Sequence, residues 1–394
     1  MNTVHETPDE IIPKRRNTAT SPVVAVAILA ASALPAVAAP AATQPTARLR
    51  LGVVGLVHGH VYGFLYSACD RADIELVGVA EPEQNLLDRY GTRHKLPPAV
   101  LFRDLDAMLD RTRPEAVAVF TSTCEHLKVV EACARRGIHV MMEKPLAVSL
   151  EHARAMARAA REGKIHVLVN FETTWYPNTR AAFDVVRRQG RLGKVRRIVA
   201  RDGHRGPKEI GMPREFLSFL TDPVQNGDGA LYDFGCYGAN LITWLMGERR
   251  PQSVTAVTQR LKSDPTYQRV DDEATIVLAY PDAVGIIQAS WNWPYNRKDM
   301  EIYGERGYYL TIDSDSYRLR ADDGAETQLR AERPAPPDDD PISYLIAVAR
   351  GDVAPSGPSS LHVNVIASEI LDAARRSARS RRTVDLDPVP PDEP

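Results

Sequence analysis

Short apolar runs alternate with helix-period runs through the first part of the chain. Residues 115–120 form an apolar run typical of a strand, residues 126–136 show the helical period, and residues 138–142 form a second apolar run. A strand, a helix and a strand within about 30 residues make a βαβ unit, which predicts a parallel sheet covered by helices. Ligands bind outside the carboxyl ends of the strands in such sheets. Glu143 and Lys144 directly follow the second strand, so we expect them at the ligand-binding edge.

The pattern changes in the second half of the chain. Between residues 253 and 313, short apolar runs are separated by turns, which predicts a mostly antiparallel sheet. Because this sheet follows a βαβ half, it belongs to a second domain rather than to an extension of the first sheet. The predicted fold class is a doubly wound parallel Rossmann sheet of the α/β class, followed by an α+β domain with a mostly antiparallel open sheet.

The first forty residues have the order of an export signal. A basic cluster at 14–16 precedes an apolar run at 23–34, and small residues at 36–41 offer cleavage sites. The apolar run is too short to span a bilayer. We expect export to the periplasm by the Sec or Tat route, because the arginine pair favours Tat but the hydrophobic residue expected after it is missing. The alternative is a disordered Ala/Pro-rich tail on a cytoplasmic protein.

The overall composition excludes some classes of protein. The chain has 394 residues, of which 44% are hydrophobic and 25% charged, and its formal net charge is -2. This composition suits a globular protein of two domains and gives no electrostatic reason to bind nucleic acid. The four cysteines match no zinc pattern, and we expect buried or half-buried thiols. They are Cys69, Cys124, Cys133 and Cys236.

A strand-turn-helix segment stands near the start of the first domain. Residues 51–54 form a strand that ends at Gly55, and a helical run continues to residue 66. In this arrangement a dinucleotide pyrophosphate docks on the helix N-terminus. The usual three-glycine fingerprint is degraded, because Val57 and His60 occupy its second and third glycine positions. We expect the whole turn to contact the cofactor. The turn comprises Gly55, Leu56, Val57, His58, Gly59 and His60.

The two histidines of this turn also raise the question of a metal site. The sequence places no carboxylate or cysteine near His58 and His60 to complete a ligand set. We therefore predict that the chain has no metal site. The two imidazoles would instead supply hydrogen-bond donors in place of the missing glycines.

An acidic residue follows the second predicted strand, residues 73–80. Glu81 stands somewhat further past Gly55 than the usual ~20 residues, at the position whose carboxylate accepts hydrogen bonds from the ribose hydroxyls. A carboxylate there would repel a 2′-phosphate. The sequence therefore favours NAD over NADP as the cofactor.

Three short segments, two of them at the ligand-binding edge, carry a family resemblance. Residues 121–126, 136–140 and 143–145 resemble the Gfo/Idh/MocA oxidoreductases, and the resemblance runs from residue 49 to the C-terminus. It implies an NAD(P)-dependent enzyme in which the lysine after the strand, here Lys144, lies between the nicotinamide and the substrate. It also implies cofactor contacts from residues at this edge. These are Thr121, Ser122, His126, Glu143 and Lys144.

A glycine-rich segment, residues 227–240, carries the second part of the resemblance. In the family an aspartate there precedes a histidine or tyrosine by four residues, so both face the same way on a helix. Asp233 and Tyr237 occupy these positions, and Asn240 stands where many members have aspartate, as in the glucose–fructose oxidoreductase branch. We expect Tyr237 to transfer the proton, with its pKa lowered by Lys144, and Asp233 to orient the substrate or the tyrosine. The alternative is a buried tyrosine with a purely structural hydroxyl.

Two groups of polar and aromatic residues are candidates for substrate contacts. One group follows the predicted strand at 165–171, and the other lies in a glycine-rich loop at 203–207. The candidates are Asn170, Trp175, Tyr176, His204 and Arg205. The alternatives are aromatic core residues and an exposed surface loop. An aromatic stretch at 290–295 lines either the pocket or a subunit contact. The resemblance also implies a homo-oligomer that pairs through the open face of the second sheet.

These observations together predict the boundaries of the domains. They are an export signal at 1–38, a linker at 39–48, an NAD(P)-binding Rossmann domain at 49–170, an α+β domain for substrate and oligomerisation at 171–333, a linker with C-terminal helices at 334–384, and a disordered tail at 385–394.

Three functions are compatible with these residues. The first is hydride transfer between nicotinamide and a carbinol or carbonyl carbon of a sugar, polyol or related cyclic compound. The second is a redox-neutral glycoside hydrolase or lyase, or a transhydrogenase, with tightly bound NAD, since an exported protein has no access to a cytoplasmic NAD pool. The third is a non-catalytic sugar- or cofactor-binding protein. We expect a small-molecule, carbohydrate-like partner, no nucleic acid and no stable membrane anchor.

Overall fold

The computed structural model describes residues 47–386, so the predicted export signal and residues 387–394 lie outside the described residues. Six strands form its first sheet: β1 Leu49–Val54, β2 Ile74–Ala80, β3 Leu101–Phe102, β4 Ala116–Val119, β5 His139–Glu143 and β6 Val167–Asn170. All are parallel, in the order β3-β2-β1-β4-β5-β6. The order reverses between β1 and β4, which confirms the doubly wound sheet and places the ligand-binding edge at the carboxyl ends of these two strands.

Five helices connect these strands and cover both faces of the sheet. They are α1 Val61–Asp70, α2 Gln84–Arg93, α3 Leu105–Thr112, α4 His126–Ala134 and α5 Leu150–Gly163. Alternate residues of β4 belong to two separate apolar clusters. Ala116 and Ala118 pack in the cluster that contains residues of α1 and α2, whereas Val117 and Val119 pack in the cluster that contains residues of α3, α4 and α5. Burial on both faces explains why these strands read as continuous apolar runs.

Nine strands form the second sheet. They are β7 Val195–Gly203, β8 Ser253–Gln259, β9 Glu273–Ala279, β10 Val284–Ser290, β11 Arg297–Gly304, β12 Gly307–Thr311, β13 Ser316–Ala321, β14 Thr327–Arg330 and β15 Val384–Asp385. Their order is β14-β13-β12-β11-β7-β10-β9-β8-β15. Among the described strands of this sheet, β7 and β10 pair in parallel and the other neighbours are antiparallel. The prediction of a mostly antiparallel second sheet is therefore confirmed.

The helices of the second half are α6 Pro177–Phe183, α7 Arg214–Leu220, α8 Pro223–Asn226, α9 Ala230–Asp233, α10 Gly235–Leu245, α11 Pro341–Ala349 and α12 Leu361–Ser380. Every residue of α10 is buried. A Cβ atom at Gly238 would lie only 2.7 Å from Ile287 Cγ2, so glycine lets α10 approach β10 closely. The opposite face of the sheet exposes the valines of three adjacent strands, which are Val257, Val277 and Val284.

The C-terminal segment packs in both apolar clusters and forms a strand where the sequence predicts a tail. Ile342 and Leu345 of α11 pack in the apolar cluster of the first sheet, whereas Ile370 of α12 packs in the other cluster. Asp385, which the sequence assigns to the tail, pairs with Ser253 and closes the edge of the second sheet. No helix among residues 47–386 is long and apolar enough to cross a bilayer.

The cysteines differ from the prediction at one position. Cys133 and Cys236 are buried and Cys124 is half-buried, whereas Cys69 is exposed. Cys69 lies in the last turn of α1, between the buried Ala68 and the end of the helix, on the side that faces away from the sheet. All four are free thiols.

Candidate active site

A buried ion pair links the end of β5 to α9. Lys144 directly follows β5, and its Nζ donates to Asp233 Oδ1 at 2.5 Å and to the Asp233 carbonyl at 3.1 Å. Trp291 Nε1 donates to the other carboxylate oxygen, Oδ2, at 3.0 Å. Burial alone would lower the pKa of Lys144, but its neighbours together, first among them the Asp233 carboxylate, raise the pKa. Burial likewise opposes charge on Asp233, but the ammonium lowers its pKa. The pair therefore stays charged.

Two ammonium groups lie near the ring of Tyr237. Lys144 Nζ lies 5.3 Å from the ring centroid, and Lys298 Nζ lies 4.9 Å from it. Burial raises the pKa of Tyr237 well above its ordinary value, and the nearby Glu172 carboxylate raises it further. The prediction that Lys144 lowers this pKa is therefore wrong. The ammonium donates to Asp233 and approaches the face of the phenol ring, so Tyr237 is a neutral phenol.

Asp233 and Tyr237 do not share one continuous helix. The helix is interrupted at Phe234, between α9 and α10, although the four-residue spacing predicts a single helical face. Both side chains nevertheless line the same cavity as Lys144. The three residues that the sequence selects as catalytic are thus brought together by the end of β5 and the helix break.

A second ion pair beside the Tyr237 ring, which the sequence did not indicate, is partly exposed. Lys298 of β11 donates to Glu172, and the Tyr176 hydroxyl donates to the same carboxylate. Burial opposes charge on Glu172, but the Lys298 ammonium lowers its pKa below the ordinary value. The signal in the sequence was a run of three charged residues, 297–299, just after the aromatic stretch at 290–295.

These groups line a cavity of about 600 Å³. Its polar wall includes Lys144, Asp233, Tyr237, Glu172 and Lys298, and aromatic side chains supply much of the rest, among them Phe216, Phe234 and Tyr295. The aromatic stretch at 290–295 therefore contributes to the cavity through Tyr295 and holds Asp233 through Trp291.

The candidate substrate residues divide into three groups. Tyr176 and His204 line the cavity. Asn170 and Trp175 line an adjacent cavity of about 630 Å³ instead. Arg205 is exposed and, among the described residues, lies outside the lining of both cavities. The loop turns directly after Arg205, at Gly206 with φ +119°, and the substrate contact of Arg205 stays a prediction.

His204 is fixed as a hydrogen-bond donor. Its Nδ1 accepts from the Gly206 N–H at 2.9 Å. Burial lowers its pKa to about 4, so the ring is neutral and carries its proton on Nε2. His204 can therefore donate to a ligand in the cavity but cannot act as its base.

The turn after β1 has the backbone that close approach to a phosphate requires. Gly55 has φ +83°, and a Cβ atom there would lie 2.6 Å from the Thr121 backbone nitrogen. The following helix, α1, begins with no side-chain cap in the described structure, and the N–H of its first residue, Val61, donates to the His58 carbonyl at 3.1 Å. An anion would therefore bind at the N–H groups that follow Val61 in the first turn. Phe216 of α7 packs closely against the turn, because a Cβ atom at Gly59 would lie only 2.9 Å from its ring.

The Glu81 carboxylate is hydrogen-bonded to the backbone of this turn. It is buried, and its two carboxylate oxygens accept from the Leu56 N–H at 2.7 Å and from the Glu83 N–H at 3.0 Å. Burial raises its pKa above the ordinary value. Glu81 thus has a structural role that the sequence analysis did not foresee, and its contact with a ribose stays a prediction.

The residues after β4 differ in whether their side-chain hydrogen-bonding groups already have partners. Thr121 Oγ1 donates to the Ser122 carbonyl, and Ser122 Oγ donates to Gln225 of α8 at 2.7 Å. His126 Nδ1 lies 3.1 Å from the Leu146 carbonyl, so it must carry the proton of the neutral ring. Burial lowers the pKa of His126 to about 4. Its Nε2 is then a buried acceptor without a partner among the described residues.

The residues present fit a dinucleotide. Three features lie at the reversal point between β1 and β4. They are Gly55, where a Cβ atom would clash with Thr121, the N-terminus of α1, which has no side-chain cap, and the buried acceptor of His126. Gly55, His126 and the N–H groups of α1 would hold the cofactor there.

A carboxylate lies beside His58 and His60 in the structure, although the sequence places none near them. Glu143 ends β5, beside β1 and β4 in space, and its Oε2 lies 3.3 Å from His60 Nδ1 and 3.9 Å from His58 Nε2. Burial opposes charge on Glu143, but the two histidines lower its pKa to about 2. His58 is also buried, and burial lowers its pKa well below the ordinary value.

Known proteins resemble this chain over both halves. Residues 49–171 match a family described as "Oxidoreductase family, NAD-binding Rossmann fold", and residues 180–310 match the "GFO/IDH/MocA C-terminal domain". Trans-1,2-dihydrobenzene-1,2-diol dehydrogenase of Bos taurus is 26% identical over 238 residues, which are 60% of this chain and 66% of that protein. The match thus spans slightly less than two thirds of that relative.

Two further similar proteins act on, or are named for, inositols. The scyllo-inositol 2-dehydrogenase (NADP(+)) of Bacillus subtilis is 24% identical over 328 residues, covering 79% of this chain and 92% of that protein. The solved structure of an inositol dehydrogenase homolog with NAD+ from Azotobacter vinelandii has a TM-score of 0.75 at 19% identity, and covers 86% of this chain and 98% of that one. Fold, site and both matching regions agree: the chain belongs to the Gfo/Idh/MocA family of oxidoreductases.

Proposed function

We propose that the protein is an NAD-dependent oxidoreductase that moves hydride between nicotinamide and the carbinol or carbonyl carbon of a neutral polyhydroxy compound, such as a sugar or polyol. The observation that carries this proposal is the buried Lys144–Asp233 pair beside the neutral phenol of Tyr237, all lining one cavity at the carboxyl edge of the sheet.

The charges of the cavity support a neutral substrate. Lys144 pairs with Asp233, Lys298 with Glu172, and Arg297 with Asp299. Because these cations already have carboxylate partners, the cavity wall offers many donors and acceptors but little net charge. Such a wall suits hydroxyl groups better than a carboxylate or phosphate substrate. The flanking aromatic faces suit the C–H face of a ring.

The chain's own residues supply the proton chemistry. When bound, the cofactor would accept or supply hydride. Tyr237 would donate its proton to the carbonyl oxygen in reduction and would accept it back, as a phenolate, in oxidation. Lys144 would stabilise negative charge on the same oxygen, and Asp233 would hold the ammonium in place. His204 would donate to a neighbouring hydroxyl and orient the ring.

One feature of the chain and one relative bear on the identity of the cofactor. Glu81 directly follows β2 and has its carboxylate beside the turn, which favours NAD because a 2′-phosphate would meet a negative charge. The Bacillus subtilis relative is named for NADP(+), so the related alternative is NADP. We propose NAD as the cofactor of this chain.

The packing over the turn favours a second candidate function. Phe216 of α7 contacts the turn at Gly59, Glu215 pairs with Arg89, and Gln225 of α8 accepts from Ser122. This cover would slow the exchange of a bound dinucleotide. A retained cofactor suits a redox-neutral glycoside hydrolase or lyase, or a transhydrogenase, in which one substrate is oxidised and the cofactor is then regenerated.

We further propose that the mature protein is exported and pairs through its second sheet. The support is the leader at 1–38 and the three exposed valines on the open face, Val257, Val277 and Val284. N-terminal sequencing of periplasmic protein tests the cleavage. Light scattering tests the oligomer, and Val277→Lys should shift it toward the monomer if the open face is the interface.

One experiment separates these functions. Purified mature protein is denatured, released nucleotide is identified, and nicotinamide absorbance of the native protein is followed while sugars and polyols are added. Net reduction of NAD supports the dehydrogenase. Product without net reduction supports the redox-neutral class. Protein that neither contains nor binds NAD or NADP would contradict both enzymatic functions and favour a binding protein.

A further inference from the structure

The structure assembles a metal-ligand set that the sequence keeps far apart. His58 and His60 lie in the turn after β1, and Glu143 ends β5. One ligand atom of each residue lies within 4.8 Å of the other two. We propose that these three side chains bind one divalent transition-metal ion, with zinc as the first candidate and iron(II) or manganese(II) as chemically related ones.

The distances are close to those of a real coordination sphere. Ligand atoms about 2.1 Å from a tetrahedral metal are themselves about 3.4 Å apart. Glu143 Oε2 lies 3.3 Å from His60 Nδ1 and 3.9 Å from His58 Nε2. His58 and Glu143 are buried and fixed, whereas the side chain of His60 is 45% exposed and free to adjust. The 3.9 Å distance between the fixed Glu143 and His58 ligand atoms fits a ligand–metal–ligand angle wider than the tetrahedral one, and His60 can adjust to the ion as the third ligand.

The carboxylate is oriented by a chain of further hydrogen bonds. Asn170 Nδ2 donates to Glu143 Oε1 at 3.0 Å, and Trp175 Nε1 donates to Asn170 Oδ1 at 2.8 Å. This leaves Oε2 directed at the two imidazoles. Such outer hydrogen bonds are typical of metal sites, where they fix the orientation of a ligand. They also give Asn170 and Trp175 a role other than the predicted substrate contact.

The donor set defines the class of metal and leaves room for a further ligand. Two imidazoles and one carboxylate suit zinc, iron(II) and manganese(II), whereas calcium and magnesium prefer oxygen ligands alone. His60 lines both cavities at the sheet edge, so the remaining coordination positions face space where water or a ligand enters. Three protein ligands with an open position are the arrangement of catalytic rather than purely structural metal sites.

One hydrogen bond must change for the metal to bind. His58 Nδ1 accepts from the His60 backbone N–H at 3.3 Å, which places the proton of neutral His58 on Nε2. Coordination through Nε2 moves this proton to Nδ1 and breaks that bond. The bond is long, so its loss weighs little against coordination by three ligands.

The test is metal binding by the purified, untagged mature protein, which does not depend on the proposed dehydrogenase activity. The protein is stripped with a chelator and titrated with Co²⁺, followed by visible absorption and by metal analysis after dialysis. We expect one Co²⁺ per chain with the absorption of a tetrahedral nitrogen and oxygen site, displaced by Zn²⁺. Wild-type protein that retains no stoichiometric metal would overturn the proposal.

Variants identify the ligands. His60→Ala and Glu143→Gln should each weaken Co²⁺ binding at least about 100-fold, and Asn170→Ala about tenfold, as losses of a ligand and of an outer hydrogen bond do. The matched control is His362→Ala, because His362 also lies beside a glutamate, Glu248 at 4.0 Å, but outside the cluster. His362→Ala should bind like wild type. Equal binding by His60→Ala would overturn the assignment, and circular dichroism of each metal-free variant checks that it is folded.

Discussion

Two parts of the same sheet edge differ in how closely they follow the family pattern. At the end of β5, Lys144 meets Asp233 and the ring of Tyr237, as the motifs imply. In the turn after β1, two of the three usual glycine positions hold Val57 and His60, and α7 packs over the turn. The first part thus follows the family motifs, whereas the second has histidines and aromatic packing where the usual fingerprint has glycines.

The largest effect is expected at the end of β5, from Lys144→Ala. Loss of the ammonium removes the charge that stabilises the substrate oxygen, and kcat/KM should fall about 1,000-fold. The variant also leaves the buried Asp233 carboxylate without its cation, which should destabilise the fold by about 3–5 kcal/mol. Steady-state kinetics and chemical denaturation measure the two effects.

Lys298 serves as a control for whether the rate loss is specific to Lys144. Lys298→Ala removes the other ammonium beside the Tyr237 ring, but Lys298 pairs with Glu172 rather than with Asp233. We expect its rate loss to be several-fold smaller than that of Lys144→Ala. Equal losses would mean that Lys144 contributes only charge to the cavity, against its assigned role at the reacting oxygen.

Tyr237→Phe should lower kcat/KM about 100-fold, because it removes the proton-transferring hydroxyl but little volume. The pH profile carries the sharper test. Since burial raises the pKa of Tyr237, the phenol stays protonated at neutral pH and only its rare phenolate can accept a proton. Alcohol oxidation by wild type should therefore rise about tenfold per pH unit through the neutral range without a plateau. Carbonyl reduction should not fall over the same range.

Tyr176→Phe is the matched control for this profile. Tyr176 also lines the cavity, but its hydroxyl donates to Glu172. The slope of the pH profile should survive in Tyr176→Phe and disappear in Tyr237→Phe. A slope that persists in Tyr237→Phe would assign the proton to another group.

A smaller effect is expected from opening the turn after β1. Phe216→Ala removes the ring that contacts the turn at Gly59 and packs 4.3 Å from the His58 ring, centroid to centroid. Bound dinucleotide should dissociate about tenfold faster, with the rate of the chemical step nearly unchanged. Stopped-flow displacement by a competing nucleotide measures the release. Unchanged release would show that α7 does not limit exchange and would weaken the case for a retained cofactor.

The sequence predicted what depends on local patterns and missed what depends on contacts between distant segments. The parallel sheet follows from the period of apolar residues, and Lys144, Asp233 and Tyr237 follow from motifs that each lie within a few residues. The ion pair of Lys298 with Glu172 joins positions that no short motif connects. For the same reason Glu143 was not recognised as a neighbour of His58 and His60. The pKa of Tyr237 was predicted in the wrong direction, because burial and the orientation of Lys144 cannot be read from spacing alone.

The smallest effect is expected at Arg205, where the sequence predicted a substrate contact and the structure has an exposed side chain. Arg205→Ala should change stability by no more than about 0.5 kcal/mol, as is usual for surface positions, and should leave KM unchanged. His204→Ala, one residue earlier, removes a donor that lines the cavity and should raise KM clearly. The two variants share one loop, so their difference measures how sharply the turn at Gly206 separates cavity from surface. A raised KM in Arg205→Ala would mean that the loop folds over the substrate and brings Arg205 into contact with it.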